Sequence, residues 1–66
     1  MIGDNIKYLR KEKNLSQKQL GEKIGVSQKA IDYWESGTNE PKASYIIKLA
    51  DYFEVSADYL LDRSNQ

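Results

Sequence analysis

Apolar residues recur along this chain at the three- and four-residue spacing of an α-helix. Ile2, Ile6 and Leu9 follow this spacing in the first segment, and stripes of the same kind recur towards the end of the sequence. No stretch shows the alternation of β-branched residues that is typical of strands. The pattern therefore predicts an all-α fold, a compact bundle of short helices.

Capping signals divide the chain into these helices. Ser16 and Gln19 fit a capping box, in which each side chain bonds to the backbone N–H of the other residue. Leu15 and Leu20 flank this box in the positions of a hydrophobic staple. Gly25 is expected to end the helix that begins there, because glycine accepts left-handed backbone without steric cost. Signals of this kind predict a single domain over 1–66 with about five helices, at 3–13, 17–24, 28–35, 43–53 and 57–62.

The second and third predicted helices lie very close together in the sequence. Gly25 and Val26 separate them, and Ser27 is a favourable N-cap for the third helix. Two short helices joined by a turn of about three residues that contains glycine form a helix-turn-helix. On a helical wheel, Ala30 and Trp34 lie on the inward face of the third helix, with Ile31 beside them. The outward face consists of Gln28, Lys29, Asp32 and Tyr33.

This outward face is chemically suited to the edges of DNA bases. Gln can pair with adenine, Lys can reach guanine O6 and N7, Asp can accept from cytosine N4, and a Tyr ring can contact a thymine methyl. The same residue types also occupy ordinary exposed helices, and Lys29 and Asp32 could instead pair with each other at a separation of three residues. The face alone leaves both interpretations open.

Composition narrows the possible functions. The 66 residues include no Cys and no His, which excludes disulfides, imidazole bases and the usual zinc sites. The sequence contains no base–nucleophile constellation and no glycine-rich phosphate loop. We therefore expect no enzyme activity, no cofactor and no metal. The longest apolar runs are three residues, so we also expect no membrane span and a cytoplasmic location.

The net charge of zero hides an uneven distribution. Ten basic and ten acidic residues cancel, and neutrality by itself argues against a nucleic-acid partner. Residues 1–29, however, hold seven Lys or Arg and three Asp or Glu, a net +4, which leaves −4 for residues 30–66. This asymmetry favours an anionic partner for the basic half, although two ordinary solvated surfaces would give the same distribution.

Residues 15–41, LSQKQLGEKIGVSQKAIDYWESGTNEP, resemble the lambda-repressor-like, Cro/XRE-type helix-turn-helix family. The continuation KASYIIKLADYFEVSADYLL extends the resemblance, which covers about 6–61. Its specific elements are S-Q-x-x-L-x-x-x-x-G-V-S, then W-E-x-G, and later K-L-A-x-x-F-x-V-S-x-x-Y-L-L. The family fold is a bundle of four or five helices whose third helix lies in the DNA major groove.

The resemblance implies roles for individual residues. Base contacts are implied for Gln28 and Lys29, and then for Asp32 and Tyr33 one turn further along the same face. The residues with implied phosphate contacts are Gln17, Lys18, Ser27, Thr38, Asn39 and Lys42. The remaining pair, Arg10 and Glu35, matches a structural ion pair that ties the first helix to the end of the third.

Three residues depart from the family pattern. Gly21 stands where the family usually has a small Ala, which fits a close approach of helices but lowers helix propensity by about 1 kcal/mol. Glu40 brings a negative charge into a loop that is often basic in the family, and Asp32 brings one to the face that should approach DNA. Both acidic residues are expected to weaken the affinity for phosphates.

The resemblance implies a sequence-specific regulator of double-stranded DNA, of repressor type, that acts as a homodimer on an inverted repeat. Its location would be the cytoplasm, on the nucleoid when bound to DNA. The candidate dimer surface, which could equally be ordinary core, consists of Tyr52, Val55, Tyr59 and Leu60. The alternative function is a protein-interaction module of the same fold: an antitoxin, the target of an antirepressor, or a coactivator.

Overall fold

A computed structural model describes residues 1–63 as five helices around one core. In chain order the helices are α1 (Ile2–Glu12), α2 (Gln17–Ile24), α3 (Gln28–Ser36), α4 (Ala43–Phe53) and α5 (Ala57–Leu60). No strand occurs in this range, and the predicted all-α bundle of about five helices is confirmed. The last three positions of the predicted domain, 64–66, lie outside the described residues. None of the five helices is long and apolar enough to cross a membrane.

The predicted ends of α2 and α4 are correct, and the other helices differ by one or two residues. Helix α1 lies one residue earlier at both ends, and α3 continues to Ser36. The prediction that the last helix reaches 62 is wrong, because α5 ends at Leu60 and Asp62 adopts a left-handed conformation with φ 59°. The Asp62 carboxylate lies 2.5 Å from the amino group of Met1 and accepts from Asn5 Nδ2 at 3.0 Å. The backbone leaves the helix here, with the N–H groups of Asp62 and Arg63 donating back to the carbonyls of Tyr59 and Asp58.

Local capping fixes the turn between α2 and α3. Ser16 Oγ accepts from the backbone N–H of Gln19 at 3.0 Å, and Gln19 Oε1 accepts from the backbone N–H of Ser16 at 2.8 Å. The predicted capping box is therefore confirmed. Gly25 ends α2 with φ 88° and Gly37 follows α3 with φ 83°, conformations that favour glycine.

Every helix contributes to the core. The side chains without solvent exposure are Ile6, Leu20, Ile31, Leu49 and Leu60. One assignment on the candidate dimer surface is therefore wrong: Leu60 is wholly buried within its own domain. Tyr52 and Val55 are half-buried, and Tyr59 remains exposed. The short helix α5 thus contributes Leu60 to the core and exposes Tyr59 to solvent.

Two glycines allow the backbones around the helix-turn-helix to approach closely. A Cβ atom on Gly21 would lie 2.6 Å from the carbonyl oxygen of Val26 in the turn. A Cβ atom on Gly3 would lie 2.8 Å from the carbonyl oxygen of Glu35, at the end of α3. Helices α1 and α2 thus pack closely against the end of α3 and against the turn that precedes it.

Asn5 joins the first helix to the last. Its Nδ2 donates to the carbonyl oxygens of Tyr59 and Leu60, both at 3.1 Å, as well as to Asp62. Those carbonyls belong to the last turn of α5, where the helix itself supplies no N–H donor for them. Helix α1 therefore joins α5 as well as α3.

Candidate nucleic-acid interface

Helix α3 has one buried and one exposed face, as its helical wheel predicts. Ile31 and Trp34 are 0% and 6% exposed, whereas Gln28, Lys29 and Asp32 point to solvent. The remaining two residues, Ala30 on the inward side and Tyr33 on the outward side, are half-buried. The polar side chains that could touch a base are thus presented together, on a helix held by its apolar side.

The starts of α2 and α3 meet at an open groove on the surface. Its lining consists of Gln17, Ser27, Gln28, Lys29 and Asp32. Ser27 caps α3 by accepting from the N–H of Ala30 at 3.1 Å, but the first backbone N–H groups of each helix have no acceptor within that helix. Two helix N-termini at one groove favour negatively charged groups such as phosphates.

Two contacts organise the exposed side chains of α3. Lys29 Nζ lies 5.7 Å from the centre of the Tyr33 ring, within the range of a cation–π interaction. Asp32 Oδ1 accepts from Gln17 Nε2 at 3.2 Å. Among the ion pairs of residues 1–63, none joins Lys29 to Asp32. The two charges are therefore held apart, and Lys29 remains available to a partner.

An ion pair between α1 and α3 is linked to this groove by Gln17, which lines the groove and donates to Glu35 Oε1. Arg10 Nε and Nη2 donate to the two Glu35 carboxylate oxygens at 2.6 and 3.0 Å, and Arg10 Nη1 donates to the Leu15 carbonyl at 2.8 Å. The side chains are only 10% and 4% exposed. The hydrogen bonds to Glu35 raise the pKa of Arg10 above its ordinary value, against the opposing effect of burial. Arg10 is therefore structural, and it adds no charge to the exposed basic surface.

The other predicted phosphate contacts lie on exposed positions outside the groove lining. They are Lys18 on α2 and, around the loop after α3, Thr38, Asn39 and Lys42. Thr38 Oγ1 lies 2.9 Å from Ser36 Oγ, and the Asn39 N–H donates to the Tyr33 carbonyl at 3.3 Å, so the loop is tied to the end of α3.

The acidic loop residue Glu40 is not part of this groove. It lines a separate small pocket together with Gly3 and Trp34, beside the start of α1. Glu40 therefore lies beside the start of α1 rather than in the lining of the groove. Within the range that the structure describes, no group of Asp or Glu side chains is arranged to hold a metal ion.

Sequence reasoning missed the role of Gln17 inside the protein. Its side chain, half-buried, donates to Glu35 Oε1 at 3.2 Å as well as to Asp32. These partners are 15 and 18 residues away, so no local spacing reveals them. The Lys29–Tyr33 contact, by contrast, has the four-residue spacing of neighbours on a helix and was accessible from the sequence.

A family model described as Helix-turn-helix matches residues 6–60. The uncharacterized HTH-type transcriptional regulator YqaE of Bacillus subtilis (strain 168) is 36% identical over 61 residues, which make up 92% of this chain and 53% of that protein. Repressor protein C2 of Salmonella phage P22 is also 36% identical over 61 residues, 92% of this chain and 28% of the repressor. The chain thus spans about half, or less, of the length of these curated relatives.

The P22 c2 repressor has also been solved in complex with a synthetic operator. The present fold matches that structure with a TM-score of 0.90 at 34% sequence identity, over 97% of each chain. The matching family and relatives are DNA-binding regulators of transcription rather than enzymes. Both the family model and the structural match cover nearly the whole chain. The chain therefore belongs to the lambda-repressor-like helix-turn-helix family.

Proposed function

We propose that this chain is the DNA-binding part of a transcriptional regulator and places α3 in the major groove of double-stranded DNA. The observation that carries the proposal is the groove at the start of α3, where exposed Gln28 and Lys29 lie beside two helix N-termini. This arrangement combines donors for base edges with donors for phosphates. The match to a repressor that was solved in complex with a synthetic operator supports DNA as the partner.

The base contacts are assigned to the exposed turn of α3. Gln28 offers a bidentate pairing to adenine and Lys29 a donor to guanine O6 or N7. Tyr33 acts on the same face through its contact with Lys29, which limits the motion of the lysine. Asp32 reaches the groove with one carboxylate oxygen already bonded to Gln17.

Phosphate contacts are assigned to the periphery of the same surface. The groups involved are the Lys18 side chain and the free N–H groups at the starts of α2 and α3, with Ser27 at the second of these. Thr38, Asn39 and Lys42 extend the contact along the DNA backbone from the loop after α3. Such contacts fix the register of the protein without reading the sequence.

The regulator would be a repressor that binds an inverted repeat as a homodimer, with one α3 for each half-site. A module of this size makes few phosphate contacts, so two-fold symmetry would supply much of its affinity and selectivity. Tyr59, which is 44% exposed on α5, is a candidate for the dimer surface. The half-buried Tyr52 and Val55, which precede α5, are further candidates. The protein would act in the cytoplasm, on the nucleoid.

The test is a comparison of DNA binding by matched variants. Gln28→Ala combined with Lys29→Ala removes the base-reading side chains, and each contact is worth about 1–3 kcal/mol of discrimination. We expect fluorescence anisotropy with a duplex selected from a random library to show loss of specific binding. Lys48→Ala, which removes an exposed lysine from α4, is the control and should bind like the wild type.

The same pair of variants tests the alternative of a protein-interaction module. That alternative draws support from Ile47, which is 58% exposed on the outer side of α4. A protein partner captured there would bind the Gln28→Ala, Lys29→Ala variant as well as the wild type. Absence of salt-dependent, sequence-specific DNA binding by the wild type would contradict the DNA-binding proposal directly.

A further inference from the structure

Gln17 connects the exposed face of α3 to the buried ion pair. Its Nε2 atom lies between two carboxylates and donates to Asp32 Oδ1 and to Glu35 Oε1, each at 3.2 Å. Glu35 is held in turn by Arg10. One continuous chain of hydrogen bonds therefore leads from the interior of the domain to the edge of the groove.

These contacts use the donors of the Gln17 side chain. A primary amide has two N–H hydrogens and one carbonyl oxygen. With the nitrogen directed at the two carboxylates, the side chain is left with an acceptor and has no further hydrogen to give to a phosphate. Any phosphate at this point would be bound by the backbone N–H groups of α2 instead. The Gln17 side chain thus has a different task from the one its position in the family implies.

Asp32 is left with one oxygen for a partner. Its Oδ1 is bonded to Gln17, whereas Oδ2 has no hydrogen-bond partner among residues 1–63. The nearest basic residue on its own helix face, Lys29, is held over Tyr33. An ionised carboxylate accepts hydrogen bonds and cannot donate them. In the major groove it is therefore attracted to the amino groups of cytosine N4 and adenine N6, and repelled by guanine O6 and thymine O4.

We propose that Gln17 is a positioning residue that acts through Asp32. Gln17 fixes the Asp32 carboxylate through one oxygen. The free oxygen then selects cytosine or adenine, the bases with an amino group in the major groove, at one position of each half-site on the nearer strand. The proposal rests on the proposed function, because it names what one residue of the DNA-binding surface reads. It differs from a phosphate-contacting role for Gln17, which would affect all sequences alike.

The geometry explains why a second residue is needed. An aspartate on an exposed helix surface samples several rotamers, and ordering it on DNA costs conformational entropy. A hydrogen bond to an amide that is itself anchored on a buried ion pair reduces this cost before DNA arrives. The carboxylate of Asp32 would also interfere with phosphate binding if it turned freely within the groove.

The experiment measures the affinity of each protein for four versions of a selected operator. The versions differ only at the base pair that Asp32 is proposed to contact, with cytosine, adenine, guanine or thymine on the nearer strand. The proteins are the wild type, Asp32→Asn, Gln17→Ala and the double variant, with Lys18→Ala as the control for a phosphate contact. We expect the wild type to bind the cytosine and adenine versions about tenfold more tightly than the guanine and thymine versions, the scale of one hydrogen bond to a charged group. Asp32→Asn should abolish this preference, because an amide both donates and accepts.

The decisive result concerns Gln17→Ala. We expect it to reduce the preference at the same base pair, and to add little when combined with Asp32→Asn, since both changes act on one contact. Lys18→Ala should weaken binding equally for the four versions and lower the salt dependence by about one phosphate contact. Urea unfolding followed by Trp34 fluorescence checks that each variant is folded, and Asp32→Asn changes only an exposed position.

Two outcomes would overturn the inference while leaving the proposed function intact. The first is a wild type that binds its operator specifically but treats the four versions alike. The second is a Gln17→Ala variant that behaves as Lys18→Ala does, with a uniform loss and a reduced salt dependence. Failure of the wild type to bind any selected duplex would instead overturn the proposed function, and the inference with it.

Discussion

The two ends of α3 differ in burial and in the kind of contact that they make. At its start, Gln28 and Lys29 are exposed and the helix is held by a local serine cap. At its end, Trp34 is 6% exposed and the Glu35 side chain 4% exposed, and α1 packs closely against the backbone. If the proposed function is correct, one helix separates stability from DNA recognition along its length. Substitutions at the two ends should therefore change different measurements.

The largest effect is expected from breaking the ion pair at the buried end. Glu35→Ala leaves the Arg10 guanidinium buried without its partner, which costs about 3–5 kcal/mol. A domain with about 5–15 kcal/mol of total stability would lose much of it. Urea unfolding followed by the fluorescence of Trp34, the only tryptophan, measures this loss.

Two further variants test the reason for this loss. Asp51→Ala removes an exposed carboxylate from α4 and should change the unfolding free energy by no more than about 0.5 kcal/mol. The double variant Arg10→Met, Glu35→Leu replaces both charges by apolar groups and should be far more stable than Glu35→Ala. If Glu35→Ala and Asp51→Ala are equally stable, the ion pair at the end of α3 does not stabilise the domain, and the contrast between the two ends of α3 is wrong.

The next effect concerns the close contact between α1 and the end of α3. Gly3→Ala should destabilise the domain by about 1–3 kcal/mol, because the added Cβ meets the carbonyl oxygens of α3. On helix propensity alone the same change would stabilise by about 1 kcal/mol, so the sign of the effect is diagnostic. Ser44→Ala, at an exposed position near the start of α4, is the control. Stabilisation by Gly3→Ala would contradict the close contact.

The smallest effect is expected at the exposed start of α3. Ser27→Ala removes the side-chain cap and should cost about 1 kcal/mol of unfolding free energy. Ser27→Asp keeps a cap and should unfold like the wild type, yet bind DNA more weakly because it adds a negative charge beside the groove. Denaturation and anisotropy titrations of the same samples separate the two effects. A large stability loss in Ser27→Asp would remove the distinction between the two ends.

Features encoded by neighbours in the sequence could be predicted from it. The capping box of Ser16 and Gln19, the left-handed Gly25 and the buried stripe of α3 depend on residues within a turn or two of each other. They fix the helix-turn-helix and the exposed face of its third helix. The specific family motif extended this to the fold of nearly the whole chain.

Features that depend on tertiary contacts could not be predicted in this way. The contacts of the Asp62 side chain, just after α5, are made with Asn5 and Met1 at the opposite end of the sequence. The orientation of the Gln17 amide depends on two carboxylates of α3, which only the packing of α2 on α3 brings within reach of Gln17. The exposed residues at the start of α3 could thus be predicted, whereas the hydrogen-bond partners of the side chains around them could not.

The bond from Asn5 to the last turn of α5 has a consequence for synthesis on the ribosome. The amide of Asn5 emerges 55 residues before its partner, the carbonyl of Leu60. Until α5 has been translated, α1 lacks the contacts that close its side of the core, and the apolar surface around Ile6 stays incompletely covered. The segment proposed to contact DNA, although translated by residue 42, can therefore become fully ordered only once α5 has left the exit tunnel.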